Sequence, residues 1–154
     1  MVTRFESLQI CLLLVASMLF GSCHRADLSV IGIAVLPFES LSPEKETVFF
    51  ADGVYDGVCT MLAKVANLKV ISHNGVAKYR GARNTQEIGR ALKVAYVLKG
   101  SVRREAGRIH LNAQLIDTRT DTEVWAQEYH RDLNDVFTLQ SEIAQKVADQ
   151  LTSK

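Results

Sequence analysis

The chain has 154 residues, with 18 Lys and Arg against 17 Asp and Glu, for a formal charge of +1. That is one domain's worth of residues, and the balance carries no charge excess pointing to nucleic acid or to an acidic substrate. The apolar share of 47% is raised by the N-terminus.

Residues 8–21 are almost uncharged, follow Arg4, and end at the small pair Gly21-Ser22 before Cys23. This is a signal-peptide profile, and at roughly 14 residues the run is shorter than the span a membrane-crossing helix needs. Leu19-Phe20-Gly21-Ser22-Cys23 resembles a bacterial lipoprotein box. The resemblance implies a diacylglycerol on the Cys23 thiol and a further acyl chain on its freed amine, and more than one chain is what stable anchoring requires. His24 in place of aspartate resembles the pattern sorted to an outer membrane. Ordinary secretion, with cleavage near Cys23 or Ala26, is the alternative. The expected organisation is a signal over residues 1–22, a tether over 23–29 and one domain over 30–154. Cys11 would leave with the signal, and Cys59 is left alone on an expected helix among Val58, Thr60 and Met61, which reads as a small buried hydrophobe.

The domain opens on a continuous apolar run, residues 30–36, which reads as a central strand covered on both faces and ended by Pro37. Ser42 and Pro43 then suit a cap and first position for a helix over residues 43–66, with Phe50, Val54, Val58, Met61, Leu62 and Val65 on its buried stripe. Gly53 and Gly57 cost that helix about 1 kcal/mol each, so they imply close approach to another element. A short strand over 68–72 is expected parallel to the first. One or two turns over 73–79, a loop over 80–83 and a helix over 85–93 capped by Asn84 follow, with Glu87 completing a capping-box pattern.

Residues 94–131 read as three strands whose alternation stays in phase across two turns, Ala106-Gly107 and one centred on Thr120. In that register Leu98, Val102, Ile109, Leu111, Ala113, Leu115, Trp125 and Tyr129 share an inner face. Lys99, Ser101, Arg103, His110, Asn112, Gln114, Glu128 and His130 share the outer one. A last helix over 133–151, capped by Asp132 or Asn134, presents Val136, Leu139, Gln140, Ile143, Val147 and Leu151. The expected fold is a single α/β domain in the order β-α-β-α-β-β-β-α, with a mixed sheet, a C-terminal three-stranded antiparallel meander and helices mainly on one face.

Several stretches together resemble a known family: Ile33-Ala34-Val35-Leu36-Pro37-Phe38, Phe50-Ala51-Asp52-Gly53, Glu87-Ile88-Gly89-Arg90, residues 96–104, and Gln114-Leu115-Ile116-Asp117. With Trp125, Tyr129, Arg131-Asp132-Leu133, Phe137 and Leu139-Gln140, they are similar to the TolB-like amino-terminal domain family, related to FlgO-type flagellar lipoproteins. That resemblance implies an interaction domain found ahead of tetratricopeptide repeats, or joined to adenylate cyclase or winged-helix regulator modules. It supplies no catalytic residues. Nothing follows Lys154, so a repeat partner is expected on a separate chain, or the chain is a fragment. Lys93 stands where the family often has glycine, so the local helix cap is expected to differ.

Chemical signatures are sparse. The first strand is followed by Pro37-Phe38-Glu39 rather than a phosphate loop, and no serine is flanked as GxSxG. His110, His130 and Glu128 have zinc-ligand chemistry, but the neighbouring Arg103 opposes a cation, and no metal or cofactor is expected. Asp52 reads as a brace rather than an acid or base. The candidate binding surface is Lys99, Arg103, Arg108, His110, Asn112, Gln114, Glu128 and His130, of which Lys99, Arg103, Arg108, Asn112 and Gln114 offer donors to an acidic partner segment or a ligand carboxylate. The expectation is a non-enzymatic, lipid-anchored, periplasm-facing envelope module, on the outer membrane, that docks a repeat protein or an envelope assembly. The alternative is a sensory domain that binds a small ligand or nucleotide for a separate signalling partner.

Overall fold

The computed structural model describes residues 29–153. The expected signal, Cys23 and nearly all of the tether lie outside the described residues. Strand β1 (Ile31–Val35) is followed by the two-residue β2 (Glu39–Ser40), helix α1 (Lys45–Leu62) and β3 (Leu68–Val70). A one-turn helix α2 (His73–Val76) runs into a 3-10 turn at Ala77–Tyr79, then α3 (Thr85–Leu92). The long strands β4 (Tyr96–Glu105), β5 (Arg108–Asp117) and β6 (Thr122–Arg131) lead through a 3-10 turn at Leu133–Asp135 into α4 (Val136–Thr152).

The sheet runs β3-β1-β4-β5-β6, with β2 added beside β4. The first strand is central, as its continuous apolar run requires, and pairs parallel with both β3 and β4. The meander pairs antiparallel in the register expected from its alternation as far as Leu115 facing Trp125, with Arg103 facing His110 and His110 facing His130. Beyond that a bulge sets Ile116 against Glu123 rather than Val124, so the second turn is not centred on Thr120. Its tight turn has φ of 50° at Ala106 and 80° at Gly107, the both-positive pattern that matches strand twist. The inner face carries Leu98, Val102, Leu111, Ala113 and Leu115, all buried, and joins one core with Val54, Val58, Leu139 and Ile143 of α1 and α4.

Five local expectations are corrected. The first helix starts at Lys45, and Ser42 does not cap it: the Ser42 hydroxyl accepts the Arg104 N–H at 2.8 Å, fastening the β2 segment to β4. The expected strand over 68–72 closes at Val70. Gly57 is a close approach, since a Cβ there would overlap the Gln140 side chain of α4. The Gly53 carbonyl also meets α4, accepting from Gln140 Nε2 at 2.8 Å, but no glycine is required there, because an added Cβ would stand 3.6 Å from Val136 Cγ2. Trp125 packs on the core margin and stays half-buried, because β6 is the edge strand of the sheet among the described residues, while Tyr129 is buried. Lys93 keeps the left-handed helix end (φ 54°, ψ 47°) and closes it with its N–H to the Gly89 carbonyl, accepting a backbone cost of about 1–2 kcal/mol.

Other expectations hold. Asn84 accepts from the Glu87 N–H at 3.0 Å. Asp132 and Asp135 cap the last turn reciprocally. Asp52 braces Arg80, whose guanidinium reaches it at 3.3 Å and also donates to the Phe38 carbonyl at 2.9 Å. That ion pair is half-exposed, so it positions the loop more than it stabilises the fold. Cys59 is partly buried without a disulfide, and burial pushes its thiol up to about 11, the opposite of what a nucleophile needs.

Candidate outer-face site

Alternation along β4, β5 and β6 puts Lys99, Ser101 and Arg103 beside Gln114, Asn112 and His110, and then Glu128 and His130 across from those. Two shallow hollows share this surface, and Ser101 and Asn112 form the wall between them. The smaller, about 140 Å³, is bounded by Arg103, His110, Asn112, Glu128 and Leu41. The larger, about 310 Å³, is bounded by Lys99, Asn112, Gln114, Arg83, Gly81 and Glu39.

The His110 and His130 rings meet edge to face with centroids 4.4 Å apart. His110 Nε2 lies 3.8 Å from Glu105 Oε2, and Arg103 reaches the same oxygen at 3.7 Å. Nδ1 of His110 is buried with no hydrogen-bond partner among the described residues. No group of three His, Cys, Asp or Glu side chains able to hold a metal ion occurs among the described residues. Chemically the surface is a shallow donor-rich groove, positive at the Lys99 and Arg83 end and mixed at the His110 end.

Of the eight surface residues expected from sequence, six line the two hollows: Lys99, Arg103, His110, Asn112, Gln114 and Glu128. His130 stands beside them through its ring contact. Arg108 is drawn off toward Asp132, 3.5 Å away at the hairpin end, and bounds neither hollow. The sequence reading missed Glu105, Arg83, Glu39 and Leu41. Glu105 was legible, since it continues the alternation of Arg103; the other three arrive through chain reversals that leave no periodic signal.

Comparison with known proteins places this architecture. The family model described as HilA/YgeH-like transcriptional regulator, second domain, matches residues 29–146. A candidate adenylate cyclase 3 of Rhizobium meliloti is 43% identical over 123 residues, 79% of this chain, and the chain spans only 21% of that relative's length. TolB from Acinetobacter baumannii superposes with a TM-score of 0.65 at 18% identity, over 81% of this chain and 29% of that one. Lipoprotein GNA1162 from Neisseria meningitidis superposes with a TM-score of 0.54, also at 18% identity, over 80% of this chain and 99% of that one. At such identity these two likenesses are likenesses of fold.

Proposed function

The chain belongs to the family of HilA/YgeH-like transcriptional regulator second domains, and on that premise we propose that it is a non-enzymatic interaction module of the bacterial cell envelope. Its outer sheet face docks an acidic segment of a partner protein, a repeat protein or a component of an envelope assembly. The observation that carries this reading is the groove itself: Lys99 and Arg83 line it without an ion pair among the described residues, beside the amides of Asn112 and Gln114. Lys99 and the two amides stand on the sheet and Arg83 comes from a loop, so together they outnumber the Glu39 carboxylate on the rim and give orientation to an incoming carboxylate. The fold likeness to TolB and to lipoprotein GNA1162 supports a placement in the envelope. In this reading Cys23 carries the lipid, holds the domain of residues 30–154 on the periplasmic side of the outer membrane, and leaves the sheet face free.

The test is capture from solubilised membranes with the tagged chain. The wild type is expected to retain an acidic partner, the Arg103→Glu and Lys99→Glu variants to retain it about ten-fold less, and added salt to weaken it further. A Cys23→Ser variant is expected in the soluble fraction. Recovery of the same proteins by the charge-reversed variants, or of none by the wild type, sinks the docking reading; an unchanged membrane fraction for Cys23→Ser sinks the anchor.

A second reading follows from the larger hollow together with the regulator family and the cyclase relative: a sensory domain that takes a small anionic ligand at Lys99 and Arg83. Binding to the folded state must raise stability, by about 2.7 kcal/mol at a hundred-fold excess over Kd. A melting temperature unmoved by millimolar nucleotides and dicarboxylates rules it out.

A further inference from the structure

The free edge of the sheet is built differently from the outer face and is independent of it. Strand β6 is ten residues long and ends the sheet path, so one of its two hydrogen-bonding rows faces no strand among the described residues. None of its main-chain groups bonds to a turn, loop or helix backbone among the described residues. The opposite edge, β3, is only three residues long. Natural sheets shorten such edges or arm them with lysine and proline, and β6 contains neither residue. Glu123, Glu128 and Arg131 put charge on the strand, and the bulge opposite Leu115 and Ile116 leaves Val124 unpaired but disturbs only the N-terminal end. From Trp125 to Arg131 the strand is regular.

The direction of the free groups can be read. The two-residue turn at Ala106-Gly107 makes Glu105 and Arg108 a hydrogen-bonded pair, so by alternation His110 bonds Arg103 of β4 and faces His130 of β6 as a non-hydrogen-bonded pair. The His130 main chain therefore points to the free edge, where its carbonyl accepts from Arg131 Nη1 at 3.1 Å. By alternation Ala126 and Glu128 point the same way.

We propose that this edge is where a second copy of the chain adds, β6 against β6, antiparallel, with Gln127 opposite Gln127. The register follows from side-chain complementarity. Centred on Gln127, Ala126 faces Glu128 and Trp125 faces Tyr129, each twice about the two-fold axis, and aromatic cross-strand pairs are among the more stabilising ones. Ala126 and Glu128 then exchange about four main-chain hydrogen bonds across the axis. Centring one residue later sets Glu128 against itself, a direct like-charge pair. Centring one residue earlier sets Trp125 against Gln127 and loses both aromatic pairs. Beside the edge a trough of about 420 Å³, walled mostly by carbon, runs between Gln127 and Tyr129 of β6 and Glu142, Gln145 and Lys146 of α4. The two-fold joins the troughs of both copies at the axis and covers the side of Trp125 that a lone copy leaves half-exposed.

The experiment is sedimentation equilibrium of the full chain in neutral detergent, up to about 200 µM, a range that resolves the weak association expected of a small interface. Gln127 is exposed, so substitutions there leave the fold intact. Wild type is expected to dimerise. Gln127→Lys and Gln127→Glu, each placing like charges across the axis, are each expected to weaken the dimer about five-fold. An equimolar mixture of the two variants is expected to dimerise at least as well as wild type, which only a residue opposed to itself can do. A wild-type chain monomeric throughout, a dimer indifferent to both substitutions, or a mixture no better than its components overturns the proposal and leaves the edge to a strand of another protein or to solvent.

Discussion

Phe38→Ala is expected to lower the free energy of unfolding by about 3–5 kcal/mol, the usual cost of emptying a buried aromatic site. The ring is fully buried just past β1, with its centroid 6.4 Å from that of Tyr55 on α1. Its other face lies over Gly100 of β4, where an added Cβ would stand 2.7 Å from ring carbons. Gly100 is thus the space the ring occupies, and the inner face cannot carry a side chain at that point. The same geometry makes Gly100→Ala costly, by about 1–3 kcal/mol, because the ring has no free volume to retreat into. Since the two positions share one space, their effects should not add. Phe38→Leu combined with Gly100→Ala is expected to cost less than the sum of the two single changes, by a coupling of about 0.5–3 kcal/mol in urea unfolding. Strict additivity would mean that ring and glycine do not share that space.

Gly89→Ala reverses the ordinary sign of a helix substitution. In an open helix this change gains up to about 1 kcal/mol. In α3 the new methyl would run into Cβ, Oγ1 and Cγ2 of Thr118. Thr118 cannot step aside, because its hydroxyl donates to the Val94 carbonyl at 2.8 Å and to the Ala95 carbonyl at 3.1 Å. The expected outcome is a loss of about 1–3 kcal/mol. Gly53→Ala is the internal control: with its nearest neighbour at 3.6 Å, it is expected to gain about 0.5–1 kcal/mol. Unfolding curves that move the same way for both variants would refute the packing described around Thr118.

Why one part of this architecture is legible in sequence and another is not comes down to range. The meander could be aligned from its alternation because its partners are neighbours in the chain: the tight turn fixes β4 against β5, and alternation carries β5 against β6 down to His110 facing His130, missing only the bulge beside Leu115. The central position of β1 was legible because a strand covered on both faces has nowhere to put a polar residue. The capping by Asn84 was equally local. By contrast, β2 is two residues long, too short for any period, yet it joins β4 and brings Glu39 and Leu41 to the rims of the two hollows. Arg83 reaches the larger one from a loop. Ser42 looked like a helix cap because serine before proline usually is one, and a backbone N–H more than sixty residues away captured its hydroxyl instead. Lys93 shows the limit of reasoning from residue preference: the expected avoidance of a left-handed lysine yields to the need to close α3 before β4. The family resemblance named regulator and cyclase modules as settings for this domain, and the matched family and the cyclase relative are of those kinds.

The central place of β1 also sets an order of assembly. The strand is made early, but its partner for Ile33 on one side is Tyr96, synthesised only after three helices and two short strands have followed. The β4-β5-β6 hairpins close locally and need nothing upstream, so they can form at microsecond speed once made, whereas the parallel pairing must wait for a long loop to close. The slow step is therefore the capture of an early, doubly apolar strand by a late and already formed ladder. A nascent chain stalled before Tyr96 holds that strand with only the three residues of β3 to shield it, and this is the stage at which the protein is most exposed to aggregation.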